Sequence, residues 1–404
     1  MVNYNKRKKE RELLFFWVFI ILCVFFSLSY AQEKEHDSLI TNQLETNREV
    51  NKLWQFKFSG FVQADYMFDS QQMQSKDGFV SPLIDLPQNN SGSSYFSIRQ
   101  SQLRVEVQNP KLKISGKVEI DFYGANNTSA PRLRQAYFTW KNLMFGQTWS
   151  NFSDVDTWSE LLDFVGPNGA MSTRQVQVRY TARIRPNSLL TFSLEDPDGP
   201  SITFPKDSLE WKKKALLPSF TTAYRYGDTR NYIRIAGILS PISYESKNTN
   251  EIVTQAVTKT TLGIGANLSG AYYLNTRDNI KFQTSYGMGI ATNNITLHNM
   301  GYDLVANRNG KLERLPMFNI LLMYEHWWSS ALSSTVYLSD SKFLRRAFLP
   351  RESLNSFQNA GANIIYHPEA YLRIGLECTY GRVENVERVV ANAMRYQLST
   401  SFTF

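Results

Sequence analysis

Trp54-Gln-Phe-Lys-Phe-Ser-Gly-Phe-Val-Gln-Ala-Asp-Tyr-Met-Phe-Asp69 decides how the rest of the chain is read. Trp54, Phe56, Phe58, Gly60, Val62, Ala64, Tyr66 and Phe68 share one parity; Gln55, Lys57, Ser59, Gln63, Asp65 and Asp69 share the other, with Phe61 and Met67 as exceptions. Successive side chains of a strand point to opposite faces, so this is a strand with one apolar side. It runs for about fifteen residues, where a globular strand has about five or six and a tilted bilayer crossing needs about 9–11.

Working outward, the same alternation returns. Leu103, Val105 and Val107 alternate with Arg104 and Glu106; Val118 and Ile120 with Lys117, Glu119 and Asp121; Val176 and Val178 with Gln177 and Arg179; Leu398 and Phe402 with Gln397, Ser399 and Ser401. Sixteen candidate strands follow: 54–70, 95–108, 112–124, 131–141, 142–149, 173–184, 187–196, 218–227, 230–240, 259–273, 278–292, 315–327, 330–340, 355–367, 370–382 and 393–404. Short turns (109–110, 141–142, 185–187, 227–228, 275–278, 329–330, 367–369) alternate with longer loops at 71–94, 125–130, 150–172, 197–217, 241–258, 293–314, 341–354 and 383–392. An even strand count with short turns at one end and long loops at the other marks an outer-membrane barrel. A soluble β-sandwich would also alternate, but strands this long would leave edges that are hard to protect. The fold class expected is therefore all-β, a sixteen-stranded antiparallel transmembrane barrel over 54–404 whose last strand, ending at Phe404, closes against its first. Barrels of this size enclose a water-filled channel.

The chain has 404 residues, 42% of them hydrophobic, and a formal charge of +8. Its mean hydropathy of −0.35 is compatible with strands that are apolar on one side only. Residues 1–31 read as a signal peptide: Lys6, Arg7, Lys8, Lys9 and Arg11 form the basic region, residues 13–28 the apolar one, and Ser29-Tyr30-Ala31 the cleavage site. The basic region accounts for +3 of the charge, which leaves a mature chain near +5. No Lys/Arg run with interleaved aromatics follows it, so nucleic acid is not an expected partner. After cleavage Cys378 stands alone and no internal disulfide can form. Residues 32–53 read as a polar periplasmic lead, disordered or a short helix.

The loop at 150–172 is long for a connection between two clean strands, and such loops usually have a function. It carries Asp154, Asp156, Glu160 and Asp163. If the apolar parity meets lipid, the opposite parity lines the pore with Lys57, Arg104, Lys117, Arg179, Arg183, Arg225, Arg234, Lys281, Arg373 and Arg395, and with Asp65, Glu106, Glu119, Asp121, Glu195, Glu325 and Glu377. The fourth strand is ambiguous, because Leu133 and Tyr137 share one parity while Ala136, Phe138 and Trp140 share the other. Arg132 and Arg134 are assigned inward, since a guanidinium facing lipid costs about 2–4 kcal/mol at the midplane. A basic wall opposite an acidic inserted loop would set a transverse field, and rings of charge are how pores select by sign. Arginine's planar fork also suits carboxylates. The alternative is that these arginines neutralise the neighbouring wall acids and the loop.

The four histidines, His36, His298, His326 and His367, show no triad-like or metal-like spacing. Asp154-Val-Asp156 could bind calcium, but two carboxylates by themselves do not define a site. No catalytic residue, metal or cofactor is expected.

The blocks Ser97-Ile-Arg-Gln-Ser-Gln-Leu-Arg104, Glu119-Ile-Asp-Phe-Tyr-Gly124, Leu133-Arg-Gln-Ala-Tyr137, Phe145-Gly-Gln-Thr-Trp-Ser150, Leu162-Asp-Phe-Val-Gly-Pro167 and Arg174-Gln-Val-Gln-Val-Arg-Tyr180 resemble, in order and spacing, the DcaP-like family of outer-membrane porins. The resemblance covers residues 56–200 or so. It implies a trimeric, sixteen-stranded diffusion channel in the outer membrane of a Gram-negative cell. The third outer loop would fold into the lumen, and the solutes would be small and anionic, such as dicarboxylates. The partners expected are thus polar or anionic solutes, outer-membrane lipid and two further copies of the chain. The competing reading is an outer-membrane adhesin or lipid-acting hydrolase that works through its outer loops.

Overall fold

The computed structural model describes residues 53–88, 91–248, 256–344 and 349–404. The expected signal peptide (1–31) and all but Leu53 of the polar lead (32–53) lie outside the described residues.

Sixteen antiparallel staves close into one barrel. They are β1 (Gln55–Asp69), β2 in two pieces (Ser93–Ser97 and Gln102–Asn109), β3 (Ile114–Asp121), β4 (Arg132–Trp140), β5 (Leu143–Trp149), β6 (Arg174–Arg185), β7 (Ser188–Glu195) and β8 in two pieces (Leu209–Lys214 and Ser219–Gly227). Then come β9 (Tyr232–Asn248), β10 (Val257–Tyr273), β11 (Asn279–Met288), β12 (Pro316–Trp327), β13 (Leu332–Phe343), β14 (Leu354–Glu369), β15 (Leu372–Asn385) and β16 (Val390–Thr403). Each stave pairs with the next, and β1 pairs with β16 from Phe61↔Thr403 to Asp69↔Arg395, which closes the sheet as expected. Among the described residues no helix is long and apolar enough to cross a membrane.

Closure removes every sheet edge, and the polarity is inverted relative to a soluble protein. Phe58, Val118, Phe138, Leu338 and Leu398 point outward and are exposed, whereas Gln63, Asp69, Thr221, Asn267 and Ser269 point inward and are fully buried. The ambiguity on β4 has a physical cause. The pairing with β3 runs Glu119↔Gln135, then Ile120↔Leu133, so Arg134 is an extra residue in β4. This β-bulge lets Arg134 and Gln135 both bury inward beside Arg132 and Tyr137, and it flips the parity of the flanking apolar residues. Gly146 on β5 lies opposite the same region at φ +124, where a Cβ would run into the Ala136 carbonyl.

The expected loops at 197–217, 241–258 and 293–314 contain strand. The first piece of β8 lies within 197–217 and pairs with the end of β9, Leu209↔Asn248 to Lys214↔Ser243. A small separate sheet joins Ile202–Thr203, Leu304–Ala306 and Leu312–Arg314. The read-through strand at 95–108 is broken in fact: its two pieces both pair with β1, with a turn at 98–101 between them.

At the long-loop end the inward face turns apolar. Met317, Phe343, Phe357, Val383 and Ala393 there pack against Met73, Phe79 and Ile84 of the loop after β1 and Leu297, Val305 and Leu315 of the loop after β11. A second cluster seats Phe152 and Met171, the two ends of the 150–172 loop, on Ala223, Ala236, Ile238 and Ile290. The barrel therefore has a packed core after all, built between its wall and its own loops.

Candidate solute pathway

The inward faces of β2, β3 and β4 bring four of the expected cations together. Glu119 accepts from Arg104 at 2.8 Å, Lys117 at 3.2 Å and Arg134 at 3.1 Å. Asp121 accepts from Arg132 at 2.7 Å and Arg134 at 2.9 Å. Four bases thus share two carboxylates, an excess of two positive charges, and adding the neighbouring Lys57 and Glu106 leaves that excess unchanged. The carboxylate side chains are 3% and 0% exposed, while those of Arg104 and Arg132 are 36% and 37% exposed. The acids lie at the wall and the guanidinium groups are presented above them.

Four more of the expected cations do not join this group. Arg179 donates to Gln177 Oε1 at 3.0 Å and to the Trp149 carbonyl, and Arg234 to the Asn151 carbonyl, so both hold the start of the loop. Arg225 pairs with Asp156 at 2.5 Å and lies 3.4 Å above the Tyr232 ring. Arg183 donates to the Pro186 carbonyl at 2.7 Å in a short turn.

The loop acids depart from the expected geometry. Asp154 is buried, accepting from Tyr232 Oη at 3.0 Å and Ser269 Oγ at 2.5 Å. Asp163 is buried too, accepting from Arg395 at 3.2 Å and from the Phe79 backbone N–H at 2.9 Å. Asp156 faces Arg225, and Glu160 lies 3.2 Å from His367 Nε2. All four carboxylates bind the loop to the wall or to a neighbouring loop, so they do not form a free acidic face opposite the arginines. Burial explains this for Asp154 and Asp163, since a carboxylate removed from water takes whatever donors the wall supplies. Asp156 is exposed and Glu160 half-buried, and they are drawn to Arg225 and His367 instead.

The loop contact with the basic wall is aromatic instead. Phe164 packs on Tyr123 with ring centroids 4.2 Å apart. The guanidinium groups of Arg134 and Arg132 lie 5.3 Å and 5.6 Å from its centroid. Sequence reasoning missed this contact, and it also missed the Arg395 cluster described below. Their only signal was the unbroken block Leu162-Asp-Phe164.

Among the described residues the histidines stay apart: His298 contacts Thr173 and Thr292, His326 contacts Asp278, and His367 contacts Glu160 and Ser333. No group of three metal-ligating side chains forms among them.

The profile of the DcaP outer membrane protein family matches residues 40–404. No curated protein sequence matches the chain. The crystal structure of the outer membrane channel DcaP of Acinetobacter baumannii is 20% identical, with a TM-score of 0.72 over 87% of this chain and 97% of that one. OmpF of Salmonella typhi in complex with daunomycin is 9% identical, with a TM-score of 0.52 over 88% and 99%. OmpT of Vibrio cholerae, an outer membrane protein, is 10% identical, with a TM-score of 0.51 over 87% and 98%. At such identities the likeness is one of fold. The family profile spans the whole barrel, and by it the chain belongs to the DcaP outer membrane protein family.

Proposed function

We propose that the chain is a passive diffusion channel of the outer membrane for small hydrophilic solutes, with a preference for anions of the dicarboxylate type. The observation that carries this reading is the β2–β4 wall, where four bases share two buried carboxylates and Arg104 and Arg132 remain open. A surplus of fixed positive charge in a low-dielectric tube raises the local anion concentration. The Nε–Nη2 edges of Arg104 and Arg132 are taken by Glu119 and Asp121, which leaves the outer Nη1 side of each guanidinium to donate to a solute carboxylate. The loop at 150–172 narrows the channel beside this wall; its Phe164 against Tyr123, Arg132 and Arg134 supports that placement. The channel assembles as a homotrimer, a reading in keeping with the shallow apolar depression on the outer face of β2–β5, formed where Gly116 and Ala136 lie among Val105, Val107 and Phe138.

The test is a reversal potential of purified protein in a planar bilayer under a salt gradient. An anion-preferring current is expected. A cation-preferring one would reject the role of the arginine wall, and no current from folded protein would reject the channel. Cross-linking in detergent, with three copies expected, checks the assembly.

A further inference from the structure

Leu162, Asp163 and Phe164 form a strut between two parts of the wall. At one end the Leu162 and Asp163 backbone N–H groups donate to Glu377 on β15 at 2.7 Å and 3.2 Å, and the Leu162 carbonyl accepts from Gln397 on β16 at 2.9 Å. At the other end Phe164 lies on Tyr123 and beneath Arg132 and Arg134.

One guanidinium joins this strut to the closing seam. Arg395 on β16 is 1% exposed and grips Asp69 on β1 with both arms of its fork, at 2.7 Å and 3.0 Å. Its remaining nitrogen, Nη1, reaches Asp163 at 3.2 Å, and Nη2 also donates to Tyr95 Oη at 2.5 Å. Asp163 in turn accepts from the Phe79 N–H, so the loop after β1 hangs on the same centre. Asp69 and Arg395 are direct cross-strand partners where the barrel closes. Five donors in a rigid plane suit such a junction, and lysine has no equivalent. Without the cation, two buried carboxylates would face each other and repel.

We propose that Arg395 is the positioning residue that sets the width and the ion preference of the channel, by latching both the 150–172 strut and the loop after β1 to the seam. This rests on the reading of the chain as a channel narrowed by that loop. Releasing the strut frees Phe164 from the basic wall, widens the passage and moves passing ions away from Arg104 and Arg132.

The test compares wild type, Asp163→Asn and Phe164→Ala in planar bilayers, with heat-modifiable electrophoretic mobility as the check of barrel folding. Asp163→Asn keeps the Asp69–Arg395 pair and removes the charge that Arg395 grips, while its amide oxygen can still accept from the Phe79, Val165 and Gly166 N–H groups. Phe164→Ala releases the far end without replacing a charged residue. For each, unitary conductance should rise roughly twofold while anion preference falls, because one narrow charged ring controls both. A folded Asp163→Asn with wild-type conductance and selectivity overturns the latch. If that variant does not fold, an unchanged Phe164→Ala overturns it instead. A wild-type protein that does not conduct rejects the channel reading itself and takes the latch with it.

Discussion

Along β2–β4 the inward positions carry Arg104, Lys117, Glu119, Asp121, Arg132 and Arg134, whereas along β10–β16 most are neutral, among them Asn267, Gln283, Ser339, Asn359, Asn363 and Gln397, with charged exceptions such as Lys281, Glu325, Glu377 and Arg395. The second set satisfies loop backbone. Asn267 donates to the Phe152 carbonyl, Asn363 to that of Glu160 and Gln397 to that of Leu162; Gln283 accepts from the Met171 N–H, Ser339 from Gly169 and Asn359 from Asn168. Buried backbone groups need partners, and short neutral amides and hydroxyls can supply them without bringing an uncompensated charge. The charged wall cannot do this, because its bases and acids are already committed to one another. One side of the barrel is thus a socket for loops, and the other retains exposed charge. The charge attributed to this channel comes from β2–β4, whereas most of the polar anchoring of the narrowing loop comes from β10–β16.

The sharpest way to break this contrast is to remove the cation that holds the socket to the seam. Arg395→Ala leaves Asp69 and Asp163 buried without their partner, and such a loss costs about 3–5 kcal/mol; denaturant unfolding in detergent should show it. A slightly smaller effect tests the inside-out rule on the charged wall. Val118→Arg on the outward face of β3 should cost about 2–4 kcal/mol, although Lys117, the next residue, is a base that faces inward and pairs with Glu119. Equal tolerance at the two positions would undo the parity assignment.

The charged wall should respond in function more than in stability. Replacing Arg104 and Arg132 by Gln removes the more open partner of each buried carboxylate, while Arg134 still pairs with both Glu119 and Asp121 and Lys117 with Glu119, so neither acid is abandoned as in Arg395→Ala. The loss of stability should be smaller than for Arg395→Ala, while the reversal potential shifts toward cations. An unchanged potential would separate the open arginines from selectivity. The smallest effect belongs to the turn between β10 and β11. There the Trp327 backbone N–H, with Asn275 and His326, holds the Asp278 carboxyl below the usual aspartate range. A depressed value means that its contribution is present above the ordinary aspartate pKa of about 3.9 and fades as pH falls through the lower folded value. Asp278→Asn should therefore lower the melting point near neutral pH and leave it unchanged in strong acid, which thermal scans at both conditions would reveal.

Much of this architecture was legible residue by residue. Strand alternation is local, so the parity of Trp54 to Asp69 and of each later segment already separates inside from outside. Even the bulge at Arg134 left a trace, as the parity conflict between Leu133 and Ala136. The docking of the loops was not legible. Asp163 and Arg395 are 232 residues apart, and Leu162 and Glu377 are 215 apart; no periodicity links them. Asp154 and Asp163 read as acids free to face a pore because composition reports charge without its partners.

The sequence by itself determined the closed barrel, the order of its staves and, outside the bulged β4, the face on which most strand residues lie, because covalent geometry turns neighbours in a regular strand to opposite sides. Only the tertiary structure decided which inward residues remain open and which serve as a socket. That outcome depends on where loops from distant parts of the chain come to rest. They rest where inward amides, hydroxyls and the Arg395 fork satisfy groups that would otherwise be buried without partners.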